Sequence, residues 1–270
     1  MDTVLQGGTV VTATDAYRAD VGIENGVVCS IGRALQGDQV LDVSGKYIFP
    51  GAVDPHTHLE LDFMDTVSSD DFYTGTVAAA CGGTTTIIDY AEQTQRETLA
   101  QAVKAWRAKA DPKVVIDYGL RASVTDVREE ILSEMEDVVR HGVSSFKCYL
   151  AYPERLRDDE LLQVLMRAKD TGALVNVHCE NGWLVDFMTR KLLAEGKAGP
   201  RWHPRSRPAA FEEEATQRAV TLSRIAQEPL YVVHLTCAGA LEAAVFPASV
   251  RSSTCLGTAR LMVMNTGWPQ

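Results

Sequence analysis

Residues with metal-binding side chains stand at the ends of four apolar, strand-like runs in this sequence. The runs end in Asp54-Pro55-His56-Thr57-His58, Phe146-Lys147-Cys148, Asn176-Val177-His178-Cys179 and Val232-Val233-His234-Leu235. In a β-strand, side chains two positions apart share a face, so His56 and His58 can bind one ion while Thr57 points away. The same alternation turns Cys148 and Cys179 to the opposite face, which makes both cysteines poor ligands. The spacing therefore predicts a metal site of the hydrolytic kind.

Lys147 needs a separate explanation, because metal cations would repel an ammonium group. Burial and nearby positive charge lower the pKa of a lysine, and the neutral amine can then react with carbon dioxide to form a carbamate. Carbamate oxygens can bridge two metal ions about 3.5 to 4 Å apart. Phe146, Cys148 and Leu150 indicate that this strand is buried. We therefore predict a metal-bridging, carboxylated Lys147, with a surface lysine as the alternative.

The elements that must position these residues begin after a small N-terminal region. Residues 3–48 alternate short β-rich runs with turns, and Glu24-Asn25-Gly26 is a strong hairpin signal. This pattern predicts an antiparallel sheet of its own. Phe49-Pro50-Gly51 marks the end of that sheet.

From residue 50 onward, strands alternate with helices. The predicted strands are 52–58, 84–90, 113–120, 144–150, 174–178 and 230–234, and the predicted helices are 96–109, 127–141, 158–171 and 183–195. Repeated βα units predict a parallel sheet, either open or closed into a barrel. The count is about six strands, whereas a closed barrel needs eight. In such barrels the strand ends meet on one rim, so all the candidate ligands would converge there.

Two other histidines fit structural roles better than ligation. His141 precedes Gly142 at a predicted helix end, where its charge favours the helix dipole. His203 lies in the Pro- and Arg-rich segment 199–208, which we predict to be a surface loop because no strand positions it.

Composition limits the partners that the protein can have. Of its 270 residues, 46% are hydrophobic and 23% charged, and the formal net charge is -10. An acidic chain of this kind is a poor binder of nucleic acid or anionic membranes, so we expect a small-molecule partner. The first residues have no secretory pattern and no run is long enough to span a bilayer. With six scattered cysteines, this predicts a cytoplasmic protein.

Taken together, these motifs resemble the dihydropyrimidinases, or D-hydantoinases. The resemblance spans residues 3–244 and rests on Ile48-Phe49-Pro50-Gly51-Ala52-Val53-Asp54-Pro55-His56-Thr57-His58-Leu59-Glu60-Leu61, Gly82-Gly83-Thr84-Thr85-Thr86, Phe146-Lys147-Cys148-Tyr149-Leu150-Ala151-Tyr152, His178-Cys179-Glu180-Asn181-Gly182 and Val233-His234-Leu235. That family consists of cyclic amidohydrolases in the metal-dependent amidohydrolase superfamily. The resemblance implies an α/β fold with a TIM-like (β/α) barrel, incomplete here, and a small N-terminal β-sandwich portion. We assign residues 1–49 to the sandwich portion, 50–244 to the partial barrel and 245–270 to a divergent tail.

The resemblance also implies roles for individual residues. His56 and His58 would hold the first of two divalent metal ions, most simply zinc, and His178 and His234 the second. Carboxylated Lys147 would bridge them, and a bridging hydroxide would attack the ring carbonyl. Tyr152 would donate a hydrogen bond to the developing oxyanion. The family further implies a homo-oligomer, typically a tetramer.

One expected residue has no counterpart in the sequence. The family carries an aspartate after strand eight as a ligand and general base, but no Asp or Glu follows Glu242 here. The likeness stops abruptly at residue 245, which favours a changed reading frame over a shortened paralogue or a fragment. We expect weak or no turnover from the 270-residue form.

The residue at one sequence position narrows the choice of substrate. Dihydroorotases carry an arginine two residues after the His-x-His pair, where this sequence has Glu60. The leading expectation is the opening of a dihydropyrimidine or hydantoin ring to an N-carbamoyl amino acid, with an allantoinase-like activity as the alternative. A non-catalytic scaffold relative is the third hypothesis.

Overall fold

The computed structural model describes residues 1–63, 65–245 and 261–263, and the chain divides into two compact units. The first unit comprises Met1–Val53 and Cys81–Thr86, and the second comprises Asp54–Ala80 and Ile87–Gln270. The predicted domain limits of 1–49, 50–244 and 245–270 stay predictions, and most of the predicted tail lies outside the described residues.

The first unit is built on one mixed sheet. Its strands are β1 Thr3–Val11, β2 Ala16–Glu24, β3 Val27–Gly32, β4 Gln39–Asp42 and β5 Tyr47–Ile48. The hairpin between β2 and β3 turns at Asn25 and Gly26, which both have positive φ, as predicted. The prediction of a purely antiparallel sheet is wrong, because β4 and β5 pair in parallel with β1. After β3 the chain crosses to the far side of β1, so β4 runs in the same direction as β1.

The second unit contains a parallel sheet flanked by helices. Its strands are β6 Ala52–Thr57, which begins in the first unit, β9 Thr84–Ala91, β10 Asp117–Ser123, β11 Ser145–Tyr149, β12 Leu174–His178, β13 Leu230–Val232 and β14 Leu261–Val263, with a separate hairpin of β7 Asp62–Phe63 and β8 Thr66–Val67. The helices are α1 Phe72–Cys81, α2 Leu99–Ala110, α3 Glu129–Arg140, α4 Asp158–Thr171, α5 Gly182–Ala194, α6 His203–Ser206, α7 Ala209–Ala226 and α8 Ala238–Val245, with a 3-10 turn at Pro200–Trp202. The order across the sheet is β14-β13-β12-β11-β10-β9-β6.

Side-chain alternation divides this sheet into a helix-facing side and an inner side. Phe146 and Cys148 on β11 belong to the apolar core beneath the helices, whereas Lys147 between them faces inward. On β12, Val175 and Val177 belong to the same core. The inner side therefore carries the polar residues at the strand ends.

The sheet is strongly curled, as shown by one contact between strands that are not neighbours. His56 on β6 and His234 just after β13 are five strand spacings apart, which is roughly 24 Å in a flat sheet. Their ring centroids are 5.4 Å apart. The six strands β6 and β9 to β13 confirm the predicted α/β fold with an incomplete barrel. The short β14, which pairs in parallel with β13, lies where no strand was predicted.

The predicted limits agree best for the helices of the second unit. α4 has the predicted bounds, and α3 and α5 differ from theirs by one or two residues at each end. β10 begins four residues later than predicted because the amides of Lys113 and Val114 still bond to the Ala110 carbonyl at the end of α2. The 18-residue α7 was not predicted. Within the described ranges, no helix has both the length and the apolar character that crossing a membrane requires.

Candidate metal centre

The first pair of predicted ligands comes from a single strand. His56 lies on β6, and His58 directly follows Thr57, the last residue of that strand. Their Nε2 atoms are 3.2 Å apart. Two nitrogens that bind one tetrahedral zinc ion are roughly 3.3 Å apart, given Zn–N bonds of about 2.0 to 2.1 Å. The spacing of this pair therefore suits one shared ion.

The second pair comes from neighbouring strands. His178 ends β12, and His234 occupies the turn after β13, with φ 35°. His178 Nδ1 and His234 Nε2 are 3.0 Å apart. The rings of His56 and His234 bring the two pairs to the same inner rim. The structure thus brings together all four histidines that the sequence singled out.

The histidines are held in their neutral form, which is the form that binds metal. Burial is the main cause, with Lys147 adding electrostatic repulsion. Burial, together with this repulsion, lowers the pKa of His56 to about 2, that of His58 to about 4 and that of His234 to about 3. The pKa of His178 is lowered as well, again mainly by burial. Each ring can therefore offer a nitrogen lone pair at neutral pH.

Lys147 lies between the tyrosines that flank the inner rim. It is 1% exposed, and its Nζ is 5.3 Å from the ring centre of Tyr90 and 5.1 Å from that of Tyr149. Burial lowers its pKa to about 7, against the opposing attraction of the Glu92 carboxylate, and the buried guanidinium of Arg121 adds a smaller repulsion. A large neutral fraction at physiological pH is what carboxylation requires. The surface-lysine alternative is therefore wrong.

The side chains of this site suit a metal centre, although the histidines form two pairs and not one set of four ligands. Among residues 1–63, 65–245 and 261–263, no cluster of three or more His, Cys, Asp or Glu side chains could hold an ion. A structural zinc ion takes four ligands, so each imidazole pair needs others. Lys147 Nζ lies 5.3 Å from the ring centre of Tyr90, and that ring packs against both His56 and His58. His58 Nδ1, the ring nitrogen that is not paired with His56, is buried without a hydrogen-bond partner.

A buried carboxylate supports the first pair from the helix-facing side. Asp89 on β9 accepts hydrogen bonds from Thr57 Oγ1 at 2.8 Å and from the Leu59 amide at 2.9 Å. It also accepts from the Tyr90 amide at 2.8 Å and from Trp106 Nε1 at 3.3 Å. Thr57 points away from the ions, as predicted. Asp89 thereby holds the side chain of Thr57 and the backbone of Leu59, the residues on either side of His58, and the sequence did not predict this role.

A cavity of about 330 Å³ opens beside the second pair. It is lined by Phe63, Tyr152, His178, Cys179, Glu180, His203, Arg207, Glu212, His234 and Thr236. Tyr152 has φ 68°, a left-handed conformation that is unusual for an aromatic residue. The Arg155 side chain and amide both donate to its carbonyl, which holds this turn. Burial raises the pKa of the Tyr152 phenol, so the hydroxyl keeps its proton.

His203 and Arg207 reach this cavity from the segment predicted to be a surface loop. His203 begins the short helix α6 and is exposed, but it also lines the cavity. Arg207 follows α6 and pairs with Glu180. No periodicity marks these residues in the sequence. The sequence offered one indirect sign of Arg207: its partner Glu180 stands two residues after the predicted ligand His178.

Glu60, the residue that argues against a dihydroorotase, faces away from the ligands. Its carboxylate pairs with Lys113 and accepts from the Phe72 amide at the start of α1 at 3.3 Å. Its carbonyl accepts from Lys109 at 3.1 Å. These bonds hold the turn after His58 against the outer helices. Glu60 thus has a structural role in the rim.

Known proteins share both the sequence and the architecture of this chain. The Amidohydrolase family model matches residues 47–197. The D-hydantoinase of Geobacillus stearothermophilus is 45% identical over 247 residues, which are 90% of this chain and 52% of that protein. A solved structure of D-hydantoinase matches with a TM-score of 0.92 and 42% identity over 98% of this chain and 57% of that one. The crystal structure of dihydropyrimidinase from Brevibacillus agri NCHU1002 matches with a TM-score of 0.90 and 44% identity, covering 92% and 55%.

These matches confirm the resemblance that the motifs predicted. The matched range 47–197 contains four of the five candidate ligands, and His234 follows it. The chain spans about half the length of the curated relatives that it matches.

Proposed function

This chain belongs to the amidohydrolase family, and we propose that it provides a dinuclear metal site for the hydrolysis of a cyclic amide. The substrate class is a hydantoin or dihydropyrimidine ring, which opens to an N-carbamoyl amino acid. The observation that supports this most is the convergence of His56, His58, His178 and His234 on one rim. Lys147 lies beside Tyr90, whose ring packs against the first two of them. Relatives that are 40 to 45% identical carry the names D-hydantoinase and dihydropyrimidinase.

Two zinc ions suit the side chains of this centre. His56 and His58 would hold one ion, His178 and His234 the other, and carboxylated Lys147 would lie between them. When bound, such ions lower the pKa of a water molecule and polarise a carbonyl group. The chain supplies neutral imidazoles and a buried amine with a pKa of about 7.

Tyr152 would act on the carbonyl oxygen of the ring. Its phenol keeps its proton at neutral pH and stands at the wall of the cavity beside His178, with ring centres 5.0 Å apart. A donor fixed in advance stabilises the negative charge that develops on that oxygen by a few kcal/mol. The left-handed backbone at Tyr152 supports this role, since strained residues concentrate at functional sites.

The size of the cavity suits a small ring. Ligand cavities usually range from about 300 to 1,000 Å³, and this one is near the lower limit. Its cationic residue, Arg207, is already paired with Glu180, which favours an uncharged ureide over an anionic substrate. An assembly of several copies and a cytoplasmic location are part of the same proposal.

Metal analysis combined with ring-opening assays tests the proposal. The 270-residue chain would be loaded with zinc in the presence of bicarbonate, and metal content would be measured beside hydrolysis of hydantoin, dihydrouracil and allantoin. We expect two ions per chain, falling to one or none in His178→Asn but not in His141→Asn, a matched control at the end of α3. Absence of zinc would favour the scaffold hypothesis. Opening of allantoin alone would favour an allantoinase-like enzyme.

A further inference from the structure

Arg207 contacts two parts of the candidate site: Glu180, which neighbours the candidate ligand His178, and Tyr152, the candidate oxyanion donor. It follows the short helix α6 and lines the cavity that opens beside His178. Its Nη1 atom donates to Glu180 Oε2, and its guanidinium carbon is 5.4 Å from the ring centre of Tyr152. One cation therefore borders both a carboxylate beside a candidate ligand and the candidate oxyanion donor.

The contact between Glu180 and His178 determines which nitrogen of the ring carries the proton. Glu180 Oε2 is 3.4 Å from His178 Nε2, a long hydrogen bond. An ionised carboxylate can only accept, so Nε2 must be the protonated nitrogen of the neutral ring. Nδ1 then keeps its lone pair, and Nδ1 is the atom that faces His234 at 3.0 Å. Glu180 thus directs the lone pair of His178 toward the ion site.

The ion pair that holds Glu180 is mostly shielded from solvent. The side chains of Arg207 and Glu180 are 20% and 14% exposed, and that of His178 is 12% exposed. A pair at this depth is fixed in direction to a degree that surface pairs are not, because water competes less for its hydrogen bonds. Without Arg207, the carboxylate would be free to rotate toward the solvent in the cavity.

We propose that Arg207 is a positioning residue that orients His178 through Glu180 and at the same time supports the ring of Tyr152. The proposal rests on the proposed function for its purpose, but its geometry concerns the metal-free chain as well. Carboxylates that orient a metal-bound histidine typically change metal affinity 10- to 100-fold when they are removed. Arg207 acts one contact further from the metal. Its loss should therefore have an effect at the lower end of that range.

The test combines nuclear magnetic resonance of the histidine rings with zinc titration of the full chain. In the metal-free protein at pH 8, ring ¹⁵N shifts should show His178 protonated at Nε2, with the signal assigned through His178→Gln. Arg207→Met should produce a mixture of tautomers and weaken binding of one of the two zinc ions by about 10-fold. Arg205→Met, a change to an exposed arginine of the short helix α6 just before Arg207, should leave both readouts unchanged.

A double-substitution cycle shows whether Arg207 acts through Glu180. Glu180→Leu should weaken the same ion 10- to 100-fold, and adding Arg207→Met should cost little more, because the two residues act in series. Arg207→Lys keeps the charge and should retain most of the affinity, and it also serves if Arg207→Met does not fold. Additive losses, or a His178 ring that is unprotonated at Nε2 in the unsubstituted chain, would overturn the proposal. An unsubstituted chain that binds no zinc would refute the proposed function, while the tautomer measurement would still decide the role of Arg207.

Discussion

The two histidine pairs of the centre are built in different ways. His56 and His58 belong to one chain segment, and a deeply buried carboxylate, Asp89, holds that segment from behind with two hydrogen bonds and is itself held by two more from Tyr90 and Trp106. His178 and His234 belong to two strands, and the ion pair of Glu180 with Arg207 supports them at the edge of an open cavity. The first pair is therefore fixed by local backbone geometry, whereas the second depends on tertiary packing. The difference predicts that substitutions will affect the two ions unequally.

The largest effect should come from Lys147, which the proposed function places between both pairs. Lys147→Met keeps the length of the buried side chain but cannot carry a carbamate. We expect the loss of both ions, with affinity falling by more than the roughly 100-fold that orienting residues can cause. Zinc content by mass spectrometry measures this, with Lys104→Met, on the solvent side of α2, as control. Retention of one tightly bound ion would mean that one histidine pair is sufficient without Lys147.

The metal-free Lys147→Met chain should also be at least as stable as the unsubstituted chain. A buried ammonium is costly, and removing it relieves its repulsion of Arg121. Urea unfolding of both metal-free proteins provides the comparison. A clear loss of stability would contradict the view that Lys147 is retained for chemistry.

The next largest effect should come from Asp89, and it should depend on pH. In Asp89→Asn, the new side-chain NH2 group meets N–H donors and cannot accept their hydrogen bonds. We therefore expect the free energy of unfolding to fall by about 2 to 3 kcal/mol and only the first ion to bind more weakly. Burial raises the pKa of Asp89 from 3.8 to about 6. The folded state thus holds this proton more tightly than the unfolded state. Its stabilising contribution is present below pH 4 and is lost as the pH rises through 6.

The cost of Asp89→Asn should therefore be larger at pH 4 than at pH 7. Unfolding in urea at a series of pH values measures this difference between the two proteins. A difference that does not change with pH, or that grows as the pH rises, would show that Asp89 is ionised throughout.

The smallest effect should come from Thr57, which contributes one of the four hydrogen bonds to Asp89. Thr57→Val keeps the shape of the side chain and removes its hydroxyl, so we expect the free energy of unfolding to fall by about 1 kcal/mol. Binding of the first ion should weaken slightly, and the second ion should be unaffected. Thr221→Val on the exposed side of α7 is the control, since its hydroxyl only bonds back within its own helix. Equal weakening of both ions would mean that the two pairs are not independently supported.

The same contrast explains how much could be predicted from the sequence. Two-residue spacing was enough for His56 and His58, because strand alternation alone puts them on one face. His178 and His234 could be found because each ends an apolar run, and parallel strand ends meet at one rim. The α/β alternation likewise predicted six of the strands.

The supporting residues could not be found in this way. Asp89 is recognisable only once β9 is known to lie beside β6, and Arg207 comes from a segment without any period. The missed helix α7 has a mixed pattern, with six buried residues among 18. Residues that position a ligand are fixed by what packs against them, and that information is not local in the sequence. The aspartate that the family resemblance implies after strand eight has no counterpart in this sequence, because no Asp or Glu follows Glu242.

The contact between His56 and His234 has a consequence for the order of folding. These rings lie 5.4 Å apart although 178 positions separate them in the sequence (234 minus 56). Contacts this distant must wait until the intervening strands have paired, because closing so long a loop early is entropically unfavourable. The centre therefore forms late, and zinc added during refolding should leave the early phases unchanged and slow unfolding. Bound metal would therefore stabilise the curled sheet only after its strands have paired.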